Sequence, residues 1–270
     1  LFHRFYARIF KNSSEKIEEG TWNVFFAGKE IRMPLRNDSL LLDWDLALAI
    51  TAHDAEVKET YENFINSKTV KIFFDAGANY GTHSLLFLVH GINTVSFEPI
   101  SSLKNEFDFY CSVNNINGNM VNAALGEKSG KATLWIPVGE PWESSIVETE
   151  MEELKLKYEL EKLEVPLITI DEYSFANNLY PDLIKIDTEG NELNVLNGMI
   201  NVIKTSEPYI LFETNKPDQR QPLWEFFRNQ NYTIFSIPFH PQKKQKTILQ
   251  REFLISGTTN YIAVANSKIK

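Results

Sequence analysis

The chain has 270 residues, of which 43% are hydrophobic, 13% aromatic and 23% charged, with a formal net charge of −9. That length suits one large domain or two small ones, and 19 Phe, 10 Tyr and 5 Trp supply far more apolar surface than a disordered chain carries. The acidic balance argues against a nucleic-acid partner, whose affinity would come from Lys and Arg neutralising phosphates. The single cysteine, Cys111, excludes an intrachain disulfide framework and fits a reducing, cytoplasmic setting or simple indifference to redox. No run of about 18 uncharged apolar residues occurs, so no transmembrane span is expected. The chain starts at Leu1 rather than Met, which suggests a trimmed or processed start and leaves a removed anchor or peripheral membrane association open.

Arg4, Arg8 and Lys11 recur at helical spacing, with Phe2, Phe5, Ile9 and Phe10 on other faces, so an amphipathic helix is expected there. Residues 21–26 and 30–35 read as two strands joined at Ala27-Gly28-Lys29, and Val57, Tyr61, Phe64 and Ile65 share a face of a helix over about 54–65. From 69 onward strands and helices alternate. Strands are expected at 70–74, 94–97, 120–124, 183–186 and 209–213, with helices at 84–90, 101–113 (Ser101 as N-cap) and 192–204. Such alternation predicts a parallel sheet with crossovers on both faces. Strands at 232–237 and 261–265 are separated by a loop alone, so an antiparallel hairpin closes the sheet. Residues 148–164 hold seven Glu and three Lys, which predicts a solvated helix or a mobile excursion placed to act as a lid.

Ligands of an open parallel sheet bind beyond the carboxyl ends of its strands. Those ends carry Asp75, Glu98, the 122–124 stretch, Asp187 and Glu213. Carboxylates that finish apolar strands are costly unless they bind something. The first loop reads Asp75-Ala76-Gly77-Ala78-Asn79-Tyr80-Gly81-Thr82-His83. A dinucleotide loop would need glycines where Asn79 and Thr82 stand, and no phosphate-binding Gly-x-x-x-x-Gly-Lys-Ser/Thr occurs. An acid just ahead of a glycine turn suits a ligand with an ammonium group and no phosphates, such as S-adenosylmethionine. Glu98, 23 residues after Asp75, stands where a ribose-binding acid is expected.

Taken in order, Asp75-Ala-Gly-Ala-Asn-Tyr-Gly, Phe97-Glu98-Pro99, Asn122-Ala-Ala-Leu-Gly126, Thr169-Ile-Asp171 and Ile184-Lys-Ile-Asp-Thr-Glu-Gly190 closely resemble the FkbM-type S-adenosylmethionine-dependent methyltransferases. The resemblance implies a Rossmann-like, class I methyltransferase fold, α/β with a seven-stranded, mostly parallel sheet and a C-terminal antiparallel hairpin. The expected division is an N-terminal helix and hairpin preamble over 1–68 and the methyltransferase domain over 69–270. By the same resemblance Asp75, Gly77, Asn79 and Gly81 form the cofactor loop, with Ala78, Tyr80 and His83 counted beside them. Glu98 and Pro99 meet the ribose, Asn122 and Ala123 flank the adenine, and Ser144 and Ser145 match a small polar pair of the family.

Methyl transfer to a hydroxyl needs the acceptor aligned with the departing sulfur and its proton removed. Asp187 is expected at the transfer centre, touching cofactor or acceptor, with Glu189 as candidate base and Glu213 facing the same space. These carboxylates could share protons or, less favoured, hold Mg²⁺; no His/Cys cluster suggests zinc. Lys185 and Lys216 could instead simply pair with Glu189 and Glu213. The expected acceptor is an oxygen of a small molecule or carbohydrate, with Trp142, Tyr80, Trp224 and Phe239 available to stack on a ring. The alternative is a cofactor-binding or scaffold protein of the same fold without turnover.

Overall fold

The computed structural model describes residues 16–269. The amphipathic helix expected over the first eleven residues lies outside them. Strands β1 (Gly20–Phe26) and β2 (Lys29–Leu35) form an antiparallel hairpin from Gly20↔Leu35 to Phe26↔Lys29. Its turn places Ala27 (φ 46°) and Gly28 (φ 80°) in the left-handed region, the two-residue geometry that matches strand twist. Helices α1 (Leu40–Thr51) and α2 (Ala55–Ser67) follow; α1 was not foreseen in the sequence.

The main sheet begins with β3 (Ile72–Ala76), followed by α3 (Thr82–Leu88), β4 (Asn93–Phe97), α4 (Ser101–Val113) and β5 (Met120–Val121). Ser101 is the first residue inside α4 rather than its cap; Ile100 occupies the cap position and makes no side-chain capping bond. The strand expected at 120–124 is two strands. After β5 the chain leaves the main sheet, and β6 (Ala124–Leu125) joins a second sheet with β7 (Gly130–Pro137) and β8 (Leu160–Ile168), in the order β6-β8-β7. The charged 148–164 stretch is likewise two elements: helix α5 (Glu148–Lys155) and the first part of β8.

Helix α6 (Ile170–Asn177) leads to β9 (Leu183–Ile186), and the helix expected over 192–204 is broken into α7 (Glu192–Asn197) and α8 (Ile200–Ser206). The break has two causes. A Cβ on Gly198 would lie 2.0 Å from the Gly126 carbonyl oxygen, so the backbones touch there. The Asp171 carboxylate accepts from the backbone N–H groups of Asn201 (3.0 Å) and Val202 (2.8 Å), capping a fresh helix start. Strand β10 (Tyr209–Glu213), α9 (Pro217–Asn229), β11 (Tyr232–Ser236), α10 (Gln250–Ile255) and β12 (Asn260–Ala265) complete the chain. The closing strands therefore enclose a short helix as well as a loop.

The seven-stranded sheet has the order β11-β12-β10-β9-β3-β4-β5. Strands β5, β4, β3, β9 and β10 run parallel, and β12 is inserted antiparallel between β10 and β11. Side chains alternate between its faces. Phe74, Ile184, Ile186 and Phe212 belong to one core, under α7, α8 and α9. Phe73, Leu183 and Leu211 belong to the other, where they meet Val57, Tyr61 and Phe64 of α2, Leu85 to Phe87 of α3, and Val24, Ile31 and Met33 of the hairpin. A partly buried ion-pair cluster ties this N-terminal part to α4: Arg36 donates to buried Asp43 (2.6 Å) and to Glu106 (2.9 Å), and the Tyr110 hydroxyl donates to Asp43 (2.6 Å).

Candidate active site

Strand parity decides which polar side chains meet. Asp75 shares the parity of Phe73, Lys185 and Asp187 that of Leu183, and Glu213 that of Leu211, so all four face α2 and α3. Asp75 and Lys185 are register neighbours on β3 and β9. Lys185 is 3% exposed and its Nζ lies 2.6 Å from Asp187 Oδ2. Burial works against its ammonium, but Asp187 and Asp75 outweigh that and raise its pKa. Burial likewise opposes ionisation of Asp187, yet Lys185 and a hydrogen bond from Glu213 keep its pKa low. Glu213 is pushed up to about 8 by burial and by the charge of Asp187 beside it. Glu189, held at φ 49°, is also pushed to about 8, by burial and then by Asp187 and Glu192.

The unit is therefore asymmetric: an ionised Asp187 anchored on Lys185, flanked by two carboxyls that hold protons at neutral pH. The alternative pairing expected for Lys185 and Lys216 is corrected. Lys185 takes Asp187, and Lys216 pairs with Glu150 (2.8 Å) and Glu153 (2.7 Å) of α5. Glu150 also presses on the carboxylate loop, since a Cβ on Gly190 would lie 2.8 Å from its Oε1. Glu150, Glu189, Glu213, Asn215, Lys216 and Gln219 line a small cleft over this unit. Among the described residues, no three His, Cys, Asp or Glu side chains are arranged to hold a metal ion.

The glycine loop adjoins this cleft. Gly77 has φ +80°, and a Cβ there would stand 1.8 Å from the Asp187 carbonyl oxygen. The Gly77 and Ala78 N–H groups donate to Phe97 O, and Asn79 N–H donates to Glu98 Oε2 (2.9 Å). Ile100 N–H donates to Glu98 Oε1 (2.9 Å), and the Asn122 amide donates to the Glu98 carbonyl (2.9 Å). Burial pushes Glu98 to about 7, against those two backbone bonds. Ala78 turns its methyl into a core with Phe107, Cys111 and Met120, Ala123 is buried, and Pro99 and Tyr80 are half-buried. A Cβ on Gly81 would meet the Phe107 ring at 2.1 Å.

Two buried oxygens here have no protein partner, Asp75 Oδ1 and Asn79 Oδ1. The other Asp75 oxygen accepts from Ser84 Oγ at 2.7 Å, and burial raises the Asp75 pKa against Lys185 and Ser84. Orphaned acceptors beside a backbone too tight for a Cβ fit a ligand that brings hydrogen-bond donors, as an ammonium and a ribose do.

His83 lies 3.1 Å through Nδ1 from the Tyr61 hydroxyl, and burial keeps its pKa far below the usual value. Ser145 Oγ donates to the Glu189 carbonyl (2.9 Å), bracing the strained turn. Of the stacking candidates, Trp142 is 49% exposed and Tyr80 half-buried, whereas Phe239 is 6% exposed and Trp224 packs on the core. Phe239 is thereby corrected from ring binder to core residue. Lys58 and Glu150 carry no signal in the sequence, and Tyr61 reads there only as part of an apolar helix face; Lys185 stands out as a lysine inside an otherwise apolar strand.

A parallel sheet with an antiparallel strand inserted near one edge, and a ligand loop after its first strand, is the class I methyltransferase fold. Residues 75–234 match the family model described as the methyltransferase FkbM domain. The chain belongs to that family. Among solved structures, it is similar to methyltransferase FkbM from Methylobacillus flagellatus (13% identity, TM-score 0.44), covering 83% of this chain and 60% of that one. It is also similar to precorrin-6y C5,15-methyltransferase from Geobacter metallireducens (13%, TM-score 0.41, covering 80% and 92%). An O-methyltransferase from Bacillus cereus, in complex with SAH, aligns at 12% identity and TM-score 0.40, covering 83% and 88%. The chain thus spans about 60% of the length of the Methylobacillus protein. No curated protein sequence matches it.

Proposed function

We propose that this chain transfers a methyl group from S-adenosylmethionine to a hydroxyl oxygen of a small-molecule or carbohydrate acceptor. The observation that carries the reading is the juxtaposition of the orphaned Asp75–Asn79 loop with the protonated Glu213 and Glu189 around ionised Asp187. When bound, S-adenosylmethionine supplies an electrophilic methyl on a sulfonium. Asp75 Oδ1 would accept from its ammonium, Glu98 and Asn122 would hold the ribose, and Ala123 would flank the adenine. Asp187, kept ionised by Lys185, gives the cleft negative charge and would accept hydrogen bonds from the acceptor. Glu213 or Glu189 would take the hydroxyl proton only in its ionised form, reached as pH rises through about 8, as the acceptor oxygen attacks. The polar cleft wall of Glu150, Asn215 and Gln219 favours an acceptor rich in hydroxyls over a flat apolar one.

The test uses calorimetry with S-adenosylmethionine and its demethylated product, then extracts incubated with deuterated-methyl cofactor and read by mass spectrometry. Binding that Asp75→Ala abolishes, together with a labelled ether product, is expected. An absence of binding at millimolar cofactor overturns the reading. Binding without any labelled product points to the non-turnover alternative.

A further inference from the structure

Helix α2 enters the site from the N-terminal part. It runs antiparallel to β3, for Phe64 meets Tyr209 edge to face at the amino end of β10 (4.9 Å), whereas Tyr61 meets Phe73 (5.8 Å) and His83 (5.6 Å). Its first turns therefore stand at the carboxyl end of the sheet, beside the glycine loop. Lys58 lies there, 8% exposed, with Nζ donating to the His53 carbonyl oxygen. An ammonium has three donors, so two remain. Among the described residues, no carboxylate is in ion-pair contact with it; Lys185, the other buried lysine, is committed to Asp187. A buried cation with one carbonyl partner is an expensive feature unless an anion joins it.

His83, which touches Tyr61, lies near enough to Lys58 for that lysine's charge to add to burial and to Lys185 in lowering the His83 pKa. The buried Tyr61 hydroxyl has no other hydrogen-bond partner among the described residues, so assigning it as donor to Nδ1 satisfies its proton and puts the proton of the neutral His83 ring on Nε2, a further donor. The cofactor's amino-acid end bears both an ammonium and a carboxylate. Asp75 offers an unpaired acceptor to the first and nothing to the second.

We propose that Lys58, assisted by His83 and positioned by Tyr61, binds the carboxylate of the cofactor's amino-acid moiety, so that α2 is part of the methyl-donor site. This rests on the methyl-donor reading above. Burial and the nearby Lys185 charge depress the Lys58 pKa to about 8 against Asp54 and Glu56, so the unliganded site holds its proton weakly and an incoming carboxylate restores it. The zwitterion is then read at both ends, Asp75 for the ammonium and Lys58 for the carboxylate.

The test is titration calorimetry on the full chain with S-adenosylmethionine and with its decarboxylated analogue, which keeps sulfonium and ammonium but lacks the carboxylate. Wild-type protein is expected to bind the parent about 10- to 100-fold more tightly, the worth of one charge-assisted hydrogen bond. Lys58→Met should remove that preference by weakening the parent alone, and Lys58→Arg should retain most of it. Thermal melting checks that each variant is folded, and Lys58→Gln serves if the Met variant is not. Equal affinity of wild type for both compounds, or equal loss of both in a folded Lys58 variant, overturns the proposal while leaving the methyl-donor reading intact. Failure of wild type to bind either compound overturns both.

Discussion

At Gly77 two backbones come so close that one hydrogen atom is the largest substituent the space admits. The Asp187 carbonyl cannot retreat, because the adjoining Asp187 N–H donates to Ala76 O at 3.0 Å in the sheet edge. Gly77→Ala adds a methyl 1.8 Å from that oxygen, at a φ of +80° that L residues resist. It should destabilise the fold by about 3 kcal/mol or more, seen as a lower midpoint in denaturant titration. Glu213 sets a second residue-scale expectation. With its pKa near 8, the group becomes a competent base only as pH rises through that value, so kcat should climb between about pH 7 and 9. Glu213→Gln should flatten that limb; an unchanged profile would move the base to Glu189.

At the scale of elements, Asp171 shows that a family motif residue can serve architecture rather than chemistry. Its carboxylate caps α8 through Asn201 and Val202, while Thr169 Oγ caps α6 by accepting from Glu172 N–H (3.0 Å). Asp171→Ala should cost about 1–2 kcal/mol of stability without changing cofactor affinity, a split that melting and calorimetry together can read. Helix α5 has the opposite character. Met151 and Leu154 bury its inner face, while Glu150 and Glu153 clasp Lys216 at the mouth of the cleft. The acidic run is thus largely the solvated face expected of it, and Glu150 alone among its charged residues is half-buried and turned into the cleft wall, where it pairs with Lys216.

For the whole molecule, the raised pKa values of Glu189 and Glu213 fix a sign of pH dependence. The unfolded chain releases these protons near 4.5, whereas the folded protein holds them to about 8. Their contribution to stability is therefore complete below about 4.5 and is lost as pH rises to about 8. Asp187, with its lowered pKa, works the other way and only on the acid limb. The melting temperature should fall between pH 5.5 and 8, and the double variant Glu189→Gln/Glu213→Gln should melt about 2–4 °C higher than wild type at pH 8. A wild-type melting temperature that rises over this window would contradict the assignment.

Local pattern carried much of this protein. The apolar runs of β3, β9 and β10 mark buried strands because a doubly covered strand tolerates few polar side chains, and the glycine spacing after Asp75 excluded dinucleotide and phosphate loops by elementary sterics. The motif order pointed to the family and to the sheet with its closing antiparallel strand. Sheet β6-β8-β7 was illegible, since β8 buries little beyond Val165 and its charges disguise the two-residue period. The break at Gly198 was hidden for a different reason, the approach of Gly126 from more than 70 residues away. Within the site, sequence supplied the carboxylates at the strand ends but not their partners. Which lysine neutralises Asp187, which carboxyls keep their protons, and that Tyr61 meets His83 at the end of the loop all depend on side chains brought together across strands and helices. Chain order encodes period and turn; charge balance is a property of distances, and the packed sheet alone sets those.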